Sequence, residues 1–236
     1  MPHRDGHAVG APSWVDLTTP DPGGAKAFYA ELFGWSYAEG AALLDGRLAA
    51  GVGPAAAGQS SVWRTHLVAG DLAGTLARVR AAGGEVRGES GTGAAVADPT
   101  GAEVLFRQSG AHSGVQVVHE HGALTWNELR TQDVTGAKAF YGKLFDYTYS
   151  PVRGLPDCPV FEVDGIPVAS AEPGPTPETP SHWLVYFGSR DVEATAATAL
   201  RAGGAVVRPP LETAYGPTAV LADPWGAMFA VIGLRD

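Results

Sequence analysis

One phrase occurs twice in this chain, and it constrains the fold more than any other feature. Ala25-Lys26-Ala27-Phe28-Tyr29, followed by Leu32-Phe33, returns as Ala137-Lys138-Ala139-Phe140-Tyr141, followed by Leu144-Phe145, at a constant offset of 112 residues (138 − 26 and 145 − 33). Duplication of a unit of about 110 residues is the simplest origin. In each copy apolar residues fall at i, i+3, i+4, i+7 and i+8, the stripe of a helix with one face on a core. Asp21 and Asp133 stand as N-caps, Pro22 suits a first helical turn, and Gly34 suits a C-cap. Just upstream, Trp14-Val15-Asp16-Leu17 and Trp126-Asn127-Glu128-Leu129 read as strands, again 112 apart.

A second helical unit lies inside each half. Trp63 to Val68 reads as a strand leading to the cap Asp71, a helix with Leu72, Leu76 and Val79 on one face, and a Gly83-Gly84 stop. Its later counterpart is Trp183 to Phe187, Asp191, a helix with Val192, Ala199 and Leu200, and Gly203-Gly204. Asp98-Pro99-Thr100-Gly101 and Asp223-Pro224-Trp225-Gly226 are turns before a last strand in each half. The expected organisation is a frayed tail over residues 1–11, a first domain over 12–109, a Gly- and His-rich linker over 110–122 and a second domain over 123–236, with a proline-rich surface loop from Pro173 to Pro180. The fold class is α+β.

Charge and cysteine content narrow the partners. A formal net charge of −9, with no run of Lys or Arg, excludes the basic patches that nucleic acid and anionic membrane surfaces select. The expected partner is a small-molecule ligand, with no nucleic acid and no membrane, and the chain is expected to be a monomer or homodimer. Cys158 is the lone cysteine, so no internal disulfide and no paired-cysteine zinc pattern is available. Met1 to His7 lacks the apolar core of a signal peptide, and a cytoplasmic location is expected.

The doubled Asp…Ala-x-x-Phe-Tyr…Leu-Phe segments at Asp21–Trp35 and Asp133–Tyr147, the paired glycines at the second helix ends and the two Asp-Pro-x-Gly turns, in that order, resemble the glyoxalase / bleomycin-resistance / dioxygenase superfamily, the vicinal oxygen chelate proteins. The resemblance covers nearly all of both halves. It implies four βαβββ modules paired into two glyoxalase-like domains, each curling round a cup. Members use the cup for metal-dependent isomerisation, epoxide opening or ring cleavage, or to hold an antibiotic. In the metal-using members a His or carboxylate stands fourteen residues before the Phe of Phe-Tyr, another seven before the second cap aspartate, and a Glu four after the Gly of Asp-Pro-x-Gly. Here those positions are Trp14, Arg64 and Leu105, then Trp126, Leu184 and Ala230. None is a metal donor, so neither metal nor other cofactor is expected.

Alternation along a strand puts Trp14 with Asp16 and Trp126 with Glu128. The ligand-binding candidates are Trp14, Trp126, Trp63, Trp183, Arg64, Phe161 and His182; the catalytic candidates are Glu128, Asp16, His66 and its counterpart Tyr186. Each has a structural alternative: the tryptophans as core, the acids as rim groups bonded to backbone or Arg, His66 as a hydrogen-bonded structural histidine. His119-Glu120-His121 reads as solvated linker, and Cys158, without a basic neighbour, as a poor nucleophile. Two functions follow. One is a metal-free module holding an aromatic or apolar metabolite, as in antibiotic sequestration; the other is a metal-independent isomerase, lyase or hydroxylase-like enzyme acting on a carbonyl by acid/base chemistry. Aromatic residues including Tyr215 and Trp225 favour the second half as the working cup.

Overall fold

The computed structural model describes residues 7–110 and 114–234; most of the expected tail, residues 1–6, lies outside them. The first half contains β1 (Pro12–Thr19), α1 (Pro22–Phe33), β2 (Ser36–Ala38), β3 (Ala41–Leu44) and β4 (Arg47–Pro54), then β5 (Val62–Ala69), α2 (Leu72–Ala81), β6 (Glu85–Ser90), β7 (Gly93–Ala97) and β8 (Glu103–Gln108). The second half repeats the order with β9 (Leu124–Arg130), α3 (Val134–Leu144), β10 (Thr148–Val152), β11 (Leu155–Val163) and β12 (Ile166–Glu172), then β13 (His182–Ser189), α4 (Val192–Arg201), β14 (Ala205–Thr213), β15 (Gly216–Ala222) and β16 (Met228–Gly233). These are four βαβββ modules, and each half is one eight-stranded mixed sheet, β2-β3-β4-β1-β5-β8-β7-β6 and β10-β11-β12-β9-β13-β16-β15-β14.

Local chemistry starts every helix the same way. The carboxylates of Asp21, Asp71, Asp133 and Asp191 each accept from the amide three residues on, at 2.8–3.1 Å, satisfying a donor that the helix leaves orphaned. The C-termini differ: Gly34 ends α1 in the left-handed region at φ 72°, whereas Phe145 ends α3 in an extended conformation at φ −135°.

The repeated motifs turn out to be contacts between the halves. α1 packs on α4 and α2 on α3, so one core joins the first module to the fourth and the other joins the second to the third. Tyr29 OH donates to Asp223 Oδ2 (3.3 Å), and Tyr141 OH to Asp98 Oδ2 (3.0 Å). The second glycine of each pair serves the same contact, because a Cβ on Gly84 would stand 2.8 Å from Phe140 Cε2 and one on Gly204 3.0 Å from Phe28 Cε2.

Two expected loose segments are packed instead. At the end of the tail, Gly10 N donates to Val68 O and Val68 N to Ala11 O, which extends the ladder of β1 backwards, and Ala11 is buried. The linker crosses the first half as a strap. Val115 N donates to Ser13 O, Gln116 N to Leu48 O, and Val115 and Val117 are fully buried. Glu120, expected to be solvated, takes a bidentate pair from Arg47 at 2.8 and 3.0 Å, and His121 Nδ1 accepts from Arg190 N. Alternating Val115 and Val117 was the signal for this burial, since a free linker has no use for them.

Candidate functional site

Pairing register places the two cups in corresponding positions. Trp14 lies opposite His66 and Asp16 opposite Gly51 and Arg64; in the second sheet Trp126 lies opposite Tyr186 and Glu128 opposite Ser170 and Leu184. What differs is the chemistry at the matched places and the length of the flanking hairpins. β10 and β11 have 5 and 9 residues against 3 and 4 in β2 and β3, and β14 and β15 have 9 and 7 against 6 and 5 in β6 and β7. The longer hairpins of the second half reach far enough to meet, although they belong to opposite ends of the sheet: Arg153 N donates to Tyr215 OH at 2.9 Å.

That curl encloses a cavity of about 410 Å³. Its walls include Trp126, Val152, Leu155, Val160, Tyr215 and Ile232. Trp126 Nε1 donates to Ser170 Oγ (2.9 Å), which fixes the indole plane. The floor is ionic. Arg130 Nε contacts Glu128 Oε1, Arg130 Nη1 lies 3.4 Å from Glu172 Oε2, and Tyr186 OH donates to Glu128 Oε1 at 3.2 Å. Burial raises the Glu128 carboxyl to about 7, helped by the neighbouring Glu172 carboxylate and opposed by the Arg130 guanidinium. Burial also raises Tyr186 above its ordinary value. The cup therefore holds, at neutral pH, a carboxyl able to give or take a proton beside a phenol that stays protonated.

In the first cup the polar side chains pair with one another. Asp16 accepts from Arg64 Nη2 (2.5 Å) and Nε (3.3 Å) and from His66 Nε2 (2.7 Å), while Arg107 Nε donates to His66 Nδ1 (2.8 Å). A guanidinium can only donate, so Nδ1 carries the lone pair and Nε2 the proton. Burial brings His66 below its ordinary value despite Asp16, which keeps the ring neutral. Burial would raise Asp16, but His66 and Arg64 outweigh it and hold the carboxylate below its usual range. Both nitrogens of the expected general base, His66, are engaged within the protein. Trp14 is 5% exposed beneath Arg107, whose guanidinium lies 6.0 Å from the ring.

Of the ligand-binding candidates, the cavity takes in Trp126 but not Trp63, Trp183 or Phe161, which are core. Trp63 Nε1 donates to Tyr29 OH and Trp183 Nε1 to Tyr141 OH, and Phe161 is stacked on Tyr147 with no exposure. Alternation explains all three, because each is one residue from a side chain on the cup face, Arg64, Leu184 and Val160, and so points to the other side of its sheet. His182 heads β13 with Nδ1 2.8 Å from Pro180 O, away from the cavity, and Arg64 is spent on Asp16. Trp225 packs where a Cβ on Gly24 would go. Sequence reasoning missed Arg130, Glu172, Ser170 and Arg208. The first was readable, since Trp126, Glu128 and Arg130 share one face.

The glyoxalase-like domain family matches residues 14–106 and again 126–232, which is most of the chain, twice. The chain belongs to this family. A Mycobacterium tuberculosis protein with the provisional name glyoxylase CFP32 is 36% identical over 98% of this chain and 98% of its own length. The anthracycline biosynthesis protein DauV of Streptomyces sp. (strain C5) is 33% identical over 97% and 95%. The Mn(II)-bound glyoxalase of Novosphingobium aromaticivorans has the same fold, with a TM-score of 0.64 at 16% identity over 96% of this chain and 83% of that one.

This glyoxalase-like chain does not offer its family's metal a fitting donor set. In the second cup Glu128 and Glu172 both contact the Arg130 guanidinium, a positive charge that disfavours a cation beside them. In the first, Asp16 is held by Arg64 and His66. Among the described residues no three of His, Cys, Asp and Glu gather closely enough to hold a metal ion, and no helix is long and apolar enough to cross a membrane.

The raised Glu128 carboxyl carries a stability consequence. Its ordinary value is 4.5 and its folded value about 7, so between these pH values the folded chain holds a proton that the unfolded chain has released. Stability associated with Glu128 is full below pH 4.5, falls through the window to about 7, and is flat above. Glu128→Gln cannot titrate, so the difference between wild type and variant in urea-unfolding free energy should move by on the order of 3 kcal/mol across that window, to the disadvantage of wild type at high pH. A pH-independent difference would mean that the carboxyl titrates alike in the folded and unfolded chain.

Proposed function

We propose that the second cup is a metal-free binding site for a planar aromatic or otherwise apolar metabolite bearing a carbonyl or acidic oxygen. The observation that carries the reading is the cavity itself: a wall of Trp126, Tyr215 and aliphatic side chains standing on a floor of Glu128, Arg130 and Tyr186. Sites for small molecules are concave, mostly apolar, about 300–1,000 Å³ in volume, and carry a few converging polar groups. The name of DauV supports the choice of ligand shape, because an anthracycline is a flat fused-ring quinone. Holding such a compound, for carriage or sequestration, needs no reaction.

A second reading rests on the Glu128 carboxyl near 7. As a carboxylate it takes a proton from the carbon next to a ligand carbonyl; the C–H electron pair moves to the carbonyl oxygen, where Arg130 or Tyr186 meets the developing charge. Returning the proton to another carbon isomerises the ligand. Proton transfer of this kind contributes about 10²–10⁴-fold.

One experiment separates the readings. The purified protein is analysed for metals, then screened by melting temperature against fused-ring quinones, and each hit is incubated and recovered. Less than stoichiometric metal, a raised melting temperature and unaltered compound support binding. Recovered isomer makes the protein an enzyme through Glu128, and one bound divalent ion per half contradicts the metal-free reading.

A further inference from the structure

One polar atom in the second cup is left over. Arg208 Nε is buried with no hydrogen-bond partner, while Arg208 Nη2 makes a single long bond, 3.5 Å, to Thr218 Oγ1. Arg208 stands on β14 and lines the cavity with Trp126, Tyr186 and Tyr215. A desolvated N–H without an acceptor is costly, and the usual completion is an acceptor supplied from outside.

Charge decides what kind of acceptor. Arg130 is committed to two carboxylates, Glu128 and Glu172, whereas Arg208 has no acidic partner among the described residues. Arg208 therefore brings into the cavity a positive charge that no carboxylate meets at ion-pair distance. One ionised oxygen balances it. A neutral carbonyl would satisfy the hydrogen bond and leave the charge.

We propose that Arg208 is the specificity-determining residue of the second cup, and that the ligand is a planar aromatic acid whose ionised oxygen accepts from the Arg208 guanidinium while its rings lie against Trp126. The inference rests on the binding reading above and deepens it by naming the ligand's chemical class. Charge-assisted hydrogen bonds are shorter and stronger than neutral ones, and a guanidinium suits a planar acid group.

The test uses the full chain and two probes of one shape, anthraquinone-2-carboxylate and its neutral carboxamide, titrated calorimetrically at pH 7. Wild type should bind the carboxylate about tenfold or more tightly than the amide. Arg208→Gln should abolish that preference by weakening the carboxylate more than the amide, and Arg208→Lys, which keeps the charge and loses the fork, should retain part of it. Melting curves confirm that both variants fold. Equal binding of the two probes by wild type, or a preference unchanged in Arg208→Gln, overturns the anion site and leaves the binding reading standing. Failure of wild type to bind either probe overturns both.

Discussion

Asp223→Ala should lower the unfolding free energy by about 3–5 kcal/mol, read from urea midpoints at constant m-value. Asp223 is 3% exposed, and its two oxygens accept four hydrogen bonds: Oδ1 from Trp225 N and Ala227 N, Oδ2 from Tyr29 OH and Ser61 Oγ. Removing the carboxylate leaves a buried phenol, a hydroxyl and two turn amides without an acceptor, each costing about 1–3 kcal/mol less whatever the site recovers by relaxing. The position is expensive even intact, since burial raises the Asp223 carboxyl above its ordinary value. Tyr29→Phe removes only one of the four donors and should cost about 1–2 kcal/mol, and the double variant should fall short of the sum because the two groups share a bond. A loss below about 1 kcal/mol in Asp223→Ala would mean that the motif aspartate serves the turn alone and not the contact between halves.

This contact shows what kind of information the repeated phrase holds. Phe28-Tyr29 and Asp223, like Phe140-Tyr141 and Asp98, are far apart in sequence and meet across the halves, so their repetition reports the packing of one half on the other. The four modules, the aspartate caps and the two cup strands were legible because they depend on local periodicity. Trp63, Trp183 and Phe161 belong to the core, on the opposite side of the strand from their cup-facing neighbours; large aromatic rings suit a pocket wall and a core equally well, and only the phase of the strand separates the two. The engagement of both nitrogens of His66 was not legible, because Arg107 reaches it from β8, 41 residues away in sequence. Nor was the role of Arg208, which depends on how far β14 curls toward β10.

Loss of Trp126 should weaken ligand binding far more than loss of its mirror, Trp14. Trp126 lines the cavity with its indole fixed by Ser170, whereas Trp14 is buried beneath Arg107 beside Gly51, where a Cβ would stand 3.2 Å from its Nε1. Removing a large aromatic anchor from a binding site costs about 2–4 kcal/mol of affinity, some 30-fold or more. Removing a buried one from a core costs stability instead, about 3–5 kcal/mol for full truncation and less when apolar volume is kept. Leucine at either position keeps an apolar side chain, so the pair of variants separates the two effects: Trp126→Leu should lose affinity with a modest change in melting temperature, and Trp14→Leu should lose melting temperature with affinity kept. The measurement is a calorimetric titration of wild type, Trp126→Leu and Trp14→Leu with one quinone that raises the wild-type melting temperature, each variant held well below its own transition. One site per chain, weakened about 30-fold or more in Trp126→Leu and within about twofold of wild type in Trp14→Leu, is the result expected if the second cup is the working site; two sites per chain, or an equal loss in Trp14→Leu while that variant remains folded, would contradict it.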